Sequence, residues 1–158
     1  MNIGMIGVAA ILGISAIGSA IGAGIAGQAA IGAWKRAYMA NKPAPFLLVA
    51  FAGAPLTQTI YGNILMGTMM NSTKDGSLLF ASGIIGGLAI ALSAIAQGKA
   101  AASGCDAYGE TGKGFAQYIT VVGICETVAL FVMAVIKARA VLLQGAKHEG
   151  HDKERHGF

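Results

Sequence analysis

Charge is nearly confined to the connections of this chain. From Met1 to Trp34, from Pro43 to Thr73 and from Gly76 to Gly98 no Asp, Glu, Lys or Arg occurs, and Gly114 to Ile136 contains only Glu126. A helix needs roughly 20 mostly apolar residues to cross a hydrocarbon core of about 30 Å, and each stretch can supply them. The pattern predicts an all-α membrane protein with four transmembrane helices. Membrane β-strands would give shorter, alternating segments between turns, and that pattern is not seen. Composition agrees: 55% of residues are hydrophobic and 11% charged, where soluble domains carry about 25% charged residues.

The helices are expected at about 3–33, 46–70, 78–102 and 115–143. Short connections make neighbours antiparallel, giving a first hairpin over 1–72, a second over 73–143 and a polar tail over 144–158. The first segment lacks the basic start of a signal peptide and is read as mature structure. Trp34 and Tyr38 beside Lys35, Arg36 and Lys42 form an expected interfacial anchor. Lys35, Arg36, Lys42, Lys99 and Lys113 fall on one side, against Lys74 in the opposite loop, which predicts cytoplasmic loops at 34–45 and 103–114. The basic tail argues the other way. The net charge of +4 does not point to nucleic acid, because much of the basic charge lies at or beyond the end of the fourth helix. Cys105, near a loop, and Cys125, mid-helix, imply no disulfide framework.

The two hairpins repeat each other. "GQAA" at Gly27–Ala30 aligns with "GKAA" at Gly98–Ala101, and "LTQTIYG" at Leu56–Gly62 with "ICETVAL" at Ile124–Leu130. Gln58 then occupies in the first hairpin the place of Glu126 in the second.

"GAGIAG" at Gly22–Gly27 satisfies a dinucleotide-binding pattern, but no strand precedes it and it lies inside an apolar span. Small residues instead suit close helix packing in lipid. Gly18 with Gly22 and Gly83 with Gly87 each form a GxxxG. These faces belong to the first and third helices, so a tightly packed inner layer of odd-numbered helices is expected, or the same faces pack within one chain.

Intramembrane ionisable groups cost at least about 2.5 kcal/mol and mark ion or proton paths. Thr57, Gln58 and Tyr61 share one face of the second helix, the third carries Gln97, and the fourth carries Glu126. Pro55 cannot donate a backbone hydrogen bond and so releases a carbonyl. A hydroxyl, two amide oxygens, a carboxylate and a free carbonyl suit one small hard cation. A monovalent cation, or equally a proton, neutralises Glu126, while Tyr61 can donate its hydroxyl hydrogen to it. The alternative is that these side chains only join helices around a protonated glutamate.

Taken together, "PLTQTIYG" at Pro55–Gly62, "AQGKAA" at Ala96–Ala101 and "CET" at Cys125–Thr127 resemble the membrane-rotor proteolipid of A/V-type ATPases, known as K or c. The resemblance runs from the first helix to the end of the fourth. It implies a ring of identical four-helix subunits in a prokaryotic cell membrane, turning against a stator subunit that bears an arginine and joined to central-stalk subunits. The proteolipid itself is non-catalytic. Sodium-pumping members are most similar, which implies Na+ (H+ otherwise) as the transported ion, with no organic cofactor. The implied ligands are Thr57, Gln58, Gln97, Glu126 and the Ala54 backbone carbonyl, with Tyr61 locking the loaded site. The tail departs from the family pattern; its His148, His151 and His156 are read as solvated rather than metal-binding. A stand-alone four-helix channel and a purely structural protein are the competing classes.

Overall fold

In the computed structural model, residues 2–72 and 75–156 are described, with side chains through Arg139. The side chains of His148, His151 and His156, and residue Lys74, lie outside the described residues. The protein is an all-α membrane protein. Helix α1 spans Ile3–Met39, α2 Leu48–Gly53, α3 Thr57–Met70, α4 Gly76–Thr111 and α5 Phe115–His156. A 3-10 turn at Ala54–Leu56 joins α2 to α3, so these three elements form the second of four rods.

That break has a local cause. Pro55 occupies the turn, and its ring and missing N–H interrupt the ladder of an α-helix. The sequence predicts one helix over 46–70; the structure divides it where the proline sits. Consequently α1, α4 and α5 are each long and apolar enough to cross a membrane uninterrupted, and α2–turn–α3 makes the remaining, interrupted rod.

The other differences lie at helix ends. α4 continues to Thr111, so most of the expected loop at 103–114 is helix. Gly112, at φ 64°, then stops it in the left-handed conformation that glycine adopts without strain. α1 likewise runs on through Trp34–Met39. At 1.5 Å per residue α1 and α4 are each roughly 55 Å long, well beyond a bilayer core. The extensions are held together by an ion pair between Arg36 and Asp106, both on the outer turns. Cys105 is fully buried in this region, its thiol directed at the carbonyls of Ala26 and Leu48. α5 is helical to His156, past the expected end near 143.

α1 and α4 form the inner pair, and glycine sets their distance. A Cβ on Gly83 would strike the carbonyl of Gly7, and one on Gly98 the backbone of Gly22. Gly18 is closed off by Ala91, and Gly87 by Ile14 and Ile11. All four of the expected packing glycines therefore sit on this contact, within one chain. Gly7 and Gly98 complete it. α5 lies outermost: 11% of its most apolar stretch is buried, against 39% in α1 and in α4. Two apolar clusters hold the rods together, one around Phe51, Leu48, Ala101 and Val122, the other around Ile11, Leu65, Ile90 and Ala129.

Candidate functional site: a buried polar cluster around Glu126

Between the two apolar clusters lies a polar one. The buried stripe of α5 is narrow, Val122 and Ala129 at 1% and 0% exposure. Glu126 shares that stripe, because residues four and three apart lie on one helix face. Its carboxylate therefore points inward at about the middle of the apolar part of α5, half-buried.

Both carboxylate oxygens accept hydrogen bonds. The Tyr61 hydroxyl donates to Oε1 at 2.6 Å, and Gln97 Nε2 donates to Oε2 at 3.3 Å. Gln97 Nε2 also reaches the Val122 carbonyl at 3.2 Å. Gln58 Nε2 donates to Gln97 Oε1 at 3.0 Å and to Ser93 Oγ at 3.3 Å. The Ser93 hydroxyl in turn donates to the Cys125 carbonyl at 2.7 Å. One connected network thus joins α3, α4 and α5.

Gln58 and Gln97 are 0% and 1% exposed. Buried polar atoms are nearly always partnered, yet Gln58 Oε1 has no partner. Among the described residues no lysine or arginine is paired with Glu126; the ion pair found is Arg36–Asp106, at the far end of the inner helices. The cluster therefore combines one carboxylate with two buried amide side chains and, among the described residues, no lysine or arginine.

Of the residues named from sequence, Gln58, Tyr61, Gln97 and Glu126 are brought into this network. Thr57 and Ala54 stand at its edge. The Thr57 hydroxyl donates to the Ala54 carbonyl at 3.0 Å, and the Thr57 amide bonds the same oxygen. Thr57 also places its hydroxyl beside that of Tyr61, one turn on. The 3-10 turn at Pro55 is what aims the Ala54 carbonyl at Thr57. Sequence reasoning missed Ser93, which bridges α3 to α5 through α4. Its signal was its place four residues before Gln97, on the same helical face.

Residues 80–136 match the family of the ATP synthase C subunit, a region that contains Ser93, Gln97 and Glu126. The chain is also 33% identical over 136 residues to a protein named A-type ATP synthase subunit K from Methanocaldococcus jannaschii. That alignment covers 84% of this chain and 59% of the relative, so the chain spans about three fifths of the length of the curated protein it matches. With its all-helical membrane fold and a carboxylate inside the matched region, the chain is similar to the ATP synthase C-subunit family over residues 80–136 and, over most of its length, to an A-type ATP synthase subunit K.

Proposed function

We propose that this chain is an ion-carrying member of the rotor ring of an A/V-type ATP synthase or ATPase, and that the ion is Na+, held at Glu126. The observation that favours this choice of ion is the gathering of two buried amide side chains and a hydroxyl around a single carboxylate. A proton needs only the carboxyl group. A small hard cation needs several oxygens, and Glu126, Gln58, Gln97, Thr57 and the Ala54 carbonyl supply that set.

Electrostatics then couples the site to motion. Glu126 with one monovalent cation is neutral and can face lipid. Ionised Glu126 alone costs a few kcal/mol at mid-membrane, so the site crosses the lipid loaded and exchanges its ion where a stator subunit offers water and a compensating arginine. Tyr61, bonded to Oε1, holds the carboxylate toward the helices while it is loaded. Identical copies form the ring, central-stalk subunits connect it to the nucleotide-hydrolysing head, and the loops at 34–45 and around 112–114 face the cytoplasm. The chain performs no bond chemistry.

The test uses a hydrophobic carbodiimide, which modifies protonated buried carboxyl groups, on purified membranes at constant pH. Glu126 is expected to be labelled, and Na+ to suppress the labelling. Labelling indifferent to Na+ overturns sodium in favour of the proton. Absence of labelling, together with full ATP-driven transport by Glu126→Gln, rejects the rotor role and leaves a channel or structural protein.

A further inference from the structure

Of the three uninterrupted spans α5 is the least buried, yet it carries the carboxylate on which the proposed function turns. Around Glu126 four hydrogen bonds reach α5 from α3 and α4. Two end on the carboxylate, from Tyr61 and Gln97. The other two end on backbone carbonyls, from Gln97 to Val122 at 3.2 Å and from Ser93 to Cys125 at 2.7 Å. The two pairs part company when Glu126 turns out toward a stator. Bonds to the carboxylate break with that turn, while bonds to the α5 backbone need not.

Ser93 departs from the common habit of a helical hydroxyl. Ser and Thr within helices often bond the carbonyl four residues back, as Ser15, Thr68, Ser103, Thr111 and Thr120 do here. Ser93, 5% exposed, donates to the neighbouring helix instead. The carbonyl it reaches belongs to the peptide unit between Cys125 and Glu126, a rigid plane that includes the Glu126 Cα. Holding that plane fixes where the Glu126 side chain begins and leaves its χ angles free. Gln97 is less suited to this, because the nitrogen that reaches Val122 also bonds the carboxylate. The bonds of Ser93 run to Cys125 and to Gln58 Nε2, so its hold does not pass through the group that moves.

We propose that Ser93 is a positioning residue. It anchors the α5 backbone at Cys125, so that the Glu126 side chain opens and closes on a fixed Cα while the helix stays in place. The empty site then keeps the root of its carboxylate in register with Gln58 and Gln97, and binding a cation does not have to immobilise α5 again. A proton needs only the carboxyl group, so its affinity does not depend on where α5 stands. The effect on affinity rests on the sodium reading above. The anchor itself does not, since the carboxylate has to turn out to exchange either ion.

The chain has two cysteines, so cysteine isotope-labelled at its carbonyl carbon reports on Cys105 and Cys125 in solid-state NMR of the assembled full-length protein in liposomes. Ser93→Ala is expected to move the Cys125 signal upfield and to leave that of Cys105. In the wild type the Cys125 signal is expected to hold its position with Na+, without Na+, and after a carbodiimide has modified Glu126, an adduct too bulky to stay within the closed cluster. An upfield move of the wild-type signal on modification overturns the anchor, whether or not Ser93→Ala folds. In Ser93→Ala the Na+ concentration that half-protects Glu126 is expected to rise on the order of tenfold, the effect of freeing about one residue of backbone in the empty site. Labelling without Na+ keeps the wild-type pH dependence. Unchanged half-protection overturns the positioning role, and a pH dependence that moves by the same factor assigns the effect to packing and overturns it as well. A wild type that Na+ fails to protect overturns the sodium reading and the affinity effect with it, and the Cys125 signal of the modified protein then decides the anchor by itself.

Discussion

Tyr61 is the side chain whose single atom most affects Glu126. Its hydroxyl makes the shortest bond to the carboxylate, at 2.6 Å, and bonds to a charged partner contribute about 1.5–3 kcal/mol. Tyr61→Phe keeps the ring and removes only that donor. Sodium protection of Glu126 should weaken roughly 10- to 100-fold, read as the half-protecting concentration in the carbodiimide assay; an unchanged value removes Tyr61 from the site. At this scale the sequence was informative about Gln58, Tyr61, Gln97 and Glu126, because a polar side chain in an apolar span stands out against its neighbours. Ser93 was marked only by its place four residues before Gln97. Serine is common among the small residues that line packed membrane helices, so its hydroxyl carries no contrast until the facing element is known. Thr57 stood out too, while the Ala54 carbonyl was implied only by the resemblance; their mutual hydrogen bond depends on the angle of a turn that residue types alone do not specify.

Helix ends show where sequence periodicity loses its hold. The span of α4 was legible as an apolar stretch, but its last turns, Ser103–Thr111, read as a polar loop. They remain helical because α1 runs beside them: Cys105 is buried against Ala26 and Leu48, and Asp106 meets Arg36. Tertiary contact overrides local composition there. The start of α4 is governed differently, by Asp75 as its N-cap. Its carboxylate accepts from the Ser77 hydroxyl and from the Ser77 backbone amide, and these bonds hold it below its ordinary value. Since the folded form binds its proton more weakly than the unfolded form, the cap's stabilisation is present above about pH 4. It fades as pH falls through the lower, folded-state value. Thermal unfolding of the solubilised protein from pH 6 downward should therefore show an acid-side loss that Asp75→Asn reduces, because the neutral amide still caps. An identical acid limb in Asp75→Asn assigns the loss to other carboxylates.

For the molecule as a whole, glycine sorts its contacts into those closed within the chain and those left open. Gly83 and Gly98 have no room for a Cβ, since the backbones of Gly7 and Gly22 occupy it. On the opposite side of α1, Gly13, Gly24 and Gly27 have nothing within 4 Å of where a Cβ would stand. Gly13, Ala20 and Gly24 are exposed on one helical face, interleaved with the exposed Ile17 and Ile31. Outward α5, with its large exposed apolar residues Ile124, Val128 and Phe131, suits lipid tails; the gaps that Gly13, Ala20 and Gly24 leave beside Ile17 and Ile31 suit the close approach of another helix. These two surfaces are what a ring member needs if copies meet along α1 and lipid surrounds α5, as the proposed ring requires. Substitutions should then separate two levels of assembly. Gly98→Leu forces a side chain into the Gly22 backbone and should abolish the folded chain, read as loss of protein from detergent extracts. Gly24→Leu leaves every contact within the chain intact, so the chain folds with its ordinary helix content and thermal stability. Its added bulk falls on the open face, and it should run as small species where the wild type runs as one large ring by native mass measurement. Rings of wild-type size from Gly24→Leu would place the contact between copies on another face and leave α1 in contact with lipid.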